Sequence, residues 1–186
     1  MAVATFSLAA CGNAPRGSLD PGGLDGVIIT GLMRWDDSRD IAFGTTLVNN
    51  SATDTITFGG VELIGAHGVE IVDAFTTDMD HQVGIGVSIP PRADDTGSPP
   101  GMMENWALRV PLDQTALGPL EVRMLYLVIH PASQDDCLYS QGLRLRYRES
   151  RRDITVGSNM AMILYYESSD ACSEVDAYLS ENPAVP

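Results

Sequence analysis

Apolar residues recur at every second position along this chain, repeatedly, from residue 27 onward. Val83-Gly84-Ile85-Gly86-Val87-Ser88-Ile89, Trp106-Ala107-Leu108-Arg109-Val110-Pro111-Leu112 and Leu143-Arg144-Leu145-Arg146-Tyr147-Arg148 each alternate without a fault. A period of two puts one face of an extended strand on a core and the other in water. Pro111 has no N–H to give a ladder, so its segment suits only an edge or a strand end. Further strand candidates span 26–34, 40–49, 55–64, 69–75, 122–130 and 154–166. Asn49-Asn50-Ser51, Gly65-Ala66-His67-Gly68, Pro90-Pro91, Gly118-Pro119 and residues 149–153 separate them with turn chemistry. About eight or nine strands in roughly 140 residues predict an all-β fold, an antiparallel sandwich. Only 171–180 reads as helical, a short tail segment.

The 186 residues fit one domain. A chain of this size buries about 70% of its unfolded surface and needs no metal or disulfide framework merely to fold. The expected organisation is a truncated signal peptide and lipidation signal over 1–11, a tether over 12–26, the sandwich over 27–166 and a tail over 167–186. The net charge is −14, and all eleven basic residues are arginine. That acid excess argues against nucleic acid, whose affinity comes from neutralising phosphate with Lys and Arg. The missing lysine suits a high-G+C coding bias.

The first fifteen residues carry no charge, and the run ends Leu8-Ala9-Ala10-Cys11. This quartet resembles a bacterial lipobox: an aliphatic residue, two small residues, then the cysteine that takes the diacylglyceryl group. No Lys or Arg precedes the run, hence the reading of a truncated signal. The competing reading is an ordinary apolar strand with a chance cysteine. Ten apolar residues are too few to span a bilayer, which takes about 20. Gly12-Asn13-Ala14-Pro15-Arg16-Gly17-Ser18 and Pro21-Gly22-Gly23 have the composition of a flexible tether. With Cys11 acylated, Cys137 and Cys172 remain as an even pair and are expected to join in an oxidising compartment. The alternative is two unrelated free thiols.

Ile41-Ala42-Phe43-Gly44-Thr45-Thr46-Leu47-Val48-Asn49-Asn50-Ser51, followed by Asp54-Thr55-Ile56-Thr57-Phe58-Gly59-Gly60-Val61-Glu62-Leu63, looks like a recurring Ig-like hairpin: a strand ending in Asn, a short turn, a second strand. With Asn105-Trp106 through Leu112 and Gly142-Leu143 through Arg148, it is similar to secreted or lipid-anchored actinobacterial proteins of unknown function. The resemblance implies an exported, Ig-like β-sandwich and brings no catalytic residue with it.

Two metal chemistries are weighed. His67, Met79, His81, Met102 and Met103 fall in one window, and thioether with imidazole suits Cu(I). A blue-copper site needs a His shortly after its Cys, and no His follows Cys137. Asp36-Asp37, Asp78 with Asp80, Asp94-Asp95 and Asp135-Asp136 offer hard oxygens for calcium, without EF-hand spacing. Gly-x-Ser-x-Gly, His-Glu-x-x-His and phosphate-loop patterns are missing, so no enzyme and no cofactor are expected. Arg144, Arg146, Arg148, Arg151 and Arg152 concentrate five bases in nine residues. On a strand the first three share one face, either a solvated face with acidic cross-strand partners or a surface for a partner. The expected function is a binding module of the cell envelope, held to the membrane by its lipid and meeting an envelope protein. Copper handling is the alternative.

Overall fold

The computed structural model of the chain describes residues 17–21, 28–33, 40–81, 86–88, 102–133, 135–158, 160–166 and 169–181. In chain order the elements begin with β1 (Leu19–Asp20), β2 (Ile28–Met33), β3 (Ile41–Asn49), β4 (Ile56–Ile64), β5 (Val69–Asp78) and β6 (Gly86–Ser88). A short helix α1 (Met102–Ala107) precedes β7 (Val110–Pro111), β8 (Ala116–Leu117), β9 (Val122–Pro131) and β10 (Cys137–Ser140). β11 (Gly142–Glu149), β12 (Arg152–Ser158), β13 (Ala161–Tyr166) and the tail helix α2 (Ser173–Glu181) complete the order. Among the described residues nine strands have four or more residues, which matches the eight or nine expected.

The strands form two layers. One is a single sheet ordered β1-β3-β9-β5-β7, with β6 also on β3. The other comprises β12-β11-β4-β8 and β10-β13-β2. Ile41, Phe43, Leu47, Leu125, Leu127 and Ile129 from the first layer share a core with Ile56, Phe58, Leu143, Leu145, Tyr147 and Leu164 from the second. β11 shows why: its alternation becomes a strict in-and-out burial from Leu143 to Glu149. Each fully buried leucine on such a face contributes about 1.5 to 3 kcal/mol relative to exposure. The chain is thus an all-β sandwich with a helical tail, antiparallel apart from one pair among the described residues.

Four details differ from expectation. First, β2 and β13 pair in parallel; the long chain between them supplies the crossover that parallel pairing needs. Second, the 154–166 candidate is two strands, β12 and β13, because the chain passes from one sheet to the other after Ser158. Third, residues 106–112 hold the end of α1, β7 and a 3-10 turn instead of a strand. Met, Glu and Ala in Met102–Ala107 are good helix formers, and Trp106 meets Phe75 edge-on at 4.8 Å. Fourth, residues 17–21, expected as part of the tether, lie on the sandwich. Leu19 pairs with Asn49 and is buried, and the Ser18 N–H donates to Glu149 Oε2 at 3.2 Å.

Cys137 and Cys172 are disulfide-bonded with Cα atoms 5.3 Å apart, the pairing expected from the count. The bond ties β10 to the turn before α2, and Cys172, Leu179, Ala161 and Ile163 pack as a small satellite core. Cys137 itself opens β10.

Asn49 closes the turn from β3 to β4, which crosses between the two layers and is not the paired hairpin expected of 41–63: β3 pairs with β1, β6 and β9, and β4 with β8 and β11. Its Nδ2 donates to the carbonyls of Asp54 at 2.8 Å, Leu117 at 3.1 Å and Gly118 at 2.9 Å, one of them through a shared proton. Its Oδ1 accepts from the Ser51 N–H at 2.9 Å. Asn49→Ala strips partners from buried carbonyls and is expected to lower unfolding free energy by about 2 to 4 kcal/mol. Urea titration measures it; a loss within the scatter of surface substitutions would contradict this account of the turn.

Candidate functional site

The outer face of the β4-β11-β12 sheet carries the arginine stripe. Register places Arg144 between Glu62 and Gly157, Arg146 between Gly60 and Thr155, and Arg148 between Thr57 and Asp153. Arg144 Nη1 meets Glu62 Oε1 at 3.2 Å, and Arg148 Nε donates to Asp153 Oδ1 at 2.8 Å. Arg152 Nη2 lies 3.7 Å from Glu149 Oε2, the buried carboxylate that holds Ser18. Arg151 stands exposed in the β11–β12 turn. The stripe is therefore mostly the solvated, cross-paired face that sheet chemistry favours.

Arg146 is the exception. Among the described residues it has no carboxylate partner, and both its cross-strand neighbours are small. The β4–β11 register slips between Arg146 and Tyr147, leaving Gly59 as the extra residue of a bulge. Gly60 sits at φ 144°, a left-handed setting that disfavours any side chain, and a Cβ there would stand 3.4 Å from Arg146 Nη2. The result is a recess of about 400 Å³ whose lining includes Thr57, Gly59, Arg146, Arg148, Asp153 and Thr155. A guanidinium there offers planar donors suited to a carboxylate or phosphate. The stripe was legible from sequence; the gap around Arg146 was not. Its one signal was Gly59-Gly60 inside a strand pattern.

The soft-ligand set does not form one centre. His67 precedes β5 and Met79 follows it, so a ten-residue strand keeps them about 30 Å apart. His67 Nε2 instead meets Asp135 Oδ2 at 3.2 Å, and its ring stacks on Tyr139 with centroids 5.2 Å apart. Met103 is exposed on α1, and the side chains of His81 and Met102 lie outside the described residues. His130 Nδ1 lies 2.8 Å from Asp40 Oδ1. Among the described residues no three His, Cys, Asp or Glu side chains converge as a metal would need. Of the acidic pairs weighed for calcium, Asp36-Asp37 and Asp94-Asp95 lie outside the described residues, as does Cys11.

Hydrogen bonding and charge from Arg148 hold the Asp153 carboxyl below the ordinary aspartate range. With the folded value depressed, the pair's small stabilisation is present above the unfolded value and lost as pH falls through the folded one. Carboxyl carbon NMR is expected to give Asp153 a midpoint below that of an ordinary aspartate. In Arg148→Ala that midpoint should rise to the ordinary range; an unmoved midpoint would break the pairing assigned to this hairpin.

No protein-family model matches the chain, and no curated protein sequence is similar to it. Among solved structures it is similar to the "ASH / PapD-like domain of human CEP192 (PapD-like domain 7)" at 8% identity. The TM-score is 0.39, over 89% of this chain and 96% of that one.

Proposed function

We infer that the chain is a β-sandwich binding module of the bacterial cell envelope. In this reading Cys11 carries a lipid, the sandwich is held at the membrane, and the outer face of β11 meets an acidic partner. One observation carries it: among the described residues Arg146 stands without a carboxylate over a recess, between arginines whose charges Glu62 and Asp153 already balance. A purely solvated face has no use for a bulge that clears space beside one cation. In a chain of net charge −14, an uncompensated arginine is also a local reversal of sign that can orient an acidic ligand.

The Cys137–Cys172 bond supports an oxidising compartment, where such bonds persist. The lipobox-like quartet supports the anchor, since a lipoprotein's paired acyl chains hold far better than one. Intact-mass measurement on the membrane fraction of a producing cell is expected to find Cys11 as a diacylglyceryl adduct; an unmodified Cys11 on a full-length chain would remove the anchor. The binding face has its own test. Polyglutamate at low salt should bind the protein, Arg146→Glu should weaken it at least tenfold, and Arg109→Glu, beside Trp106, should leave it unchanged. Equal binding by both variants would return the stripe to a solvated face.

A further inference from the structure

Beside the arginine face, β12 forms the outer edge of its sheet, pairing with β11 alone among the described residues. The edges formed by β1, β7 and β8 are two residues long, too short to template a partner strand. β12 has seven residues. Exposed edges are commonly blunted by charge, proline or a bulge. Arg152 and Asp153 guard the start of β12, but Ile154-Thr155-Val156-Gly157 contains no charge, no proline and no slip in its pairing.

Backbone polarity can be assigned along that edge. Glu149 and Arg152 close a two-residue turn in which Ser150 has φ 56°. Such a turn closes on a hydrogen-bonded pair. Alternation then points the backbone groups of Arg152, Ile154 and Val156 at β11, and those of Asp153, Thr155 and Gly157 outward. The outward residues are also those on the arginine face, where Asp153 and Thr155 place their side chains and Gly157 has none, while Ile154 and Val156 share the half-buried apolar face.

We propose that β12 takes an extended protein segment as an added strand, one that alternates acidic and apolar residues. This rests on the arginine-face reading and names its ligand. An added strand lies about 4.8 Å beyond β12 and so about 10 Å from β11. Its acidic side chains, flanking Thr155 and Gly157, span that distance together with the Arg146 guanidinium. No bulky residue stands between, because Thr155 and Gly157 are small. Its apolar side chains continue the face of Ile154 and Val156. Main-chain pairing supplies affinity, and Arg146 selects the acidic residue and fixes register.

Fluorescence anisotropy with a short labelled peptide of alternating valine and glutamate tests the proposal on the full chain. Binding is expected, with at least tenfold loss in Arg146→Glu and in Thr155→Pro, whose proline removes an outward N–H and leaves the β11 ladder intact. The same peptide N-methylated at alternate residues, which leaves the protein untouched, should not bind, nor should one with lysine for glutamate. If the N-methylated peptide binds as well as its parent while Arg146→Glu still weakens it, edge pairing is overturned and the arginine-face reading stands. If the peptide does not bind while polyglutamate still does, the added strand falls and the arginine-face reading stands; if neither binds, or no change in peptide or protein alters binding, both fall. Preference for anionic phospholipid vesicles, unaffected by Thr155→Pro, would make the face a membrane contact and overturn the peptide.

Discussion

Six consecutive residues of β9, 124–129, are buried, so this strand has no solvent face and every neighbour must accommodate it. Leu125, Leu127 and Ile129 enter the core between the layers. Met124, Tyr126 and Val128 form a second cluster with Phe75, against which Trp106 packs. Tyr126 stacks on Phe75 at 5.2 Å, and the Arg109 guanidinium lies 5.2 Å from the Trp106 ring, closing the outer side with a cation over an aromatic face. β3 and β5 flank β9 in antiparallel register along nearly its whole length. Through them it places β1, β6 and β7. A charged residue at Leu127 would be buried among the apolar side chains between the layers, away from water.

Where alternation reflects one buried face, sequence reads the structure directly. β11 is the clearest case, with Leu143, Leu145 and Tyr147 inside and three arginines outside. The same pattern misleads at 106–112, where only four apolar positions decide the period and the local propensity of Met102–Ala107 for helix prevails. Single residues mislead too. Leu19 is one apolar residue in a Gly/Pro/Ser-rich stretch, yet it is buried, because it pairs with the edge of β3 while the Glu149 carboxylate holds the N–H of its neighbour Ser18. No local periodicity carries that kind of long-range pairing.

The candidate site divides in the same way. The five arginines are visible as a cluster, but which of them is neutralised depends on the β4–β11 register, and that depends on where a bulge falls. Glu62 pairs with Arg144 only because Gly59 is accommodated as an extra residue. Shift the pairing by one position and Glu62 turns to the other face. The disulfide was readable because counting constrains it; the recess was not, because it is made of what the side chains around Arg146 lack.

The docking of Gly17 and Ser18 alters how far the domain can search. Five residues lie between Cys11 and Gly17, and the six extended steps from one to the other cover about 20 Å at most. A Cβ on Gly17 would overlap the Tyr147 hydroxyl and come within 2.7 Å of its Cζ, so the segment sits where only glycine fits. With a lipid on Cys11, the attachment point near the β11–β12 turn stays within that radius of the bilayer. On the proposed anchoring, the sandwich would survey only a thin shell at the membrane surface, and a more distant ligand would have to come to it.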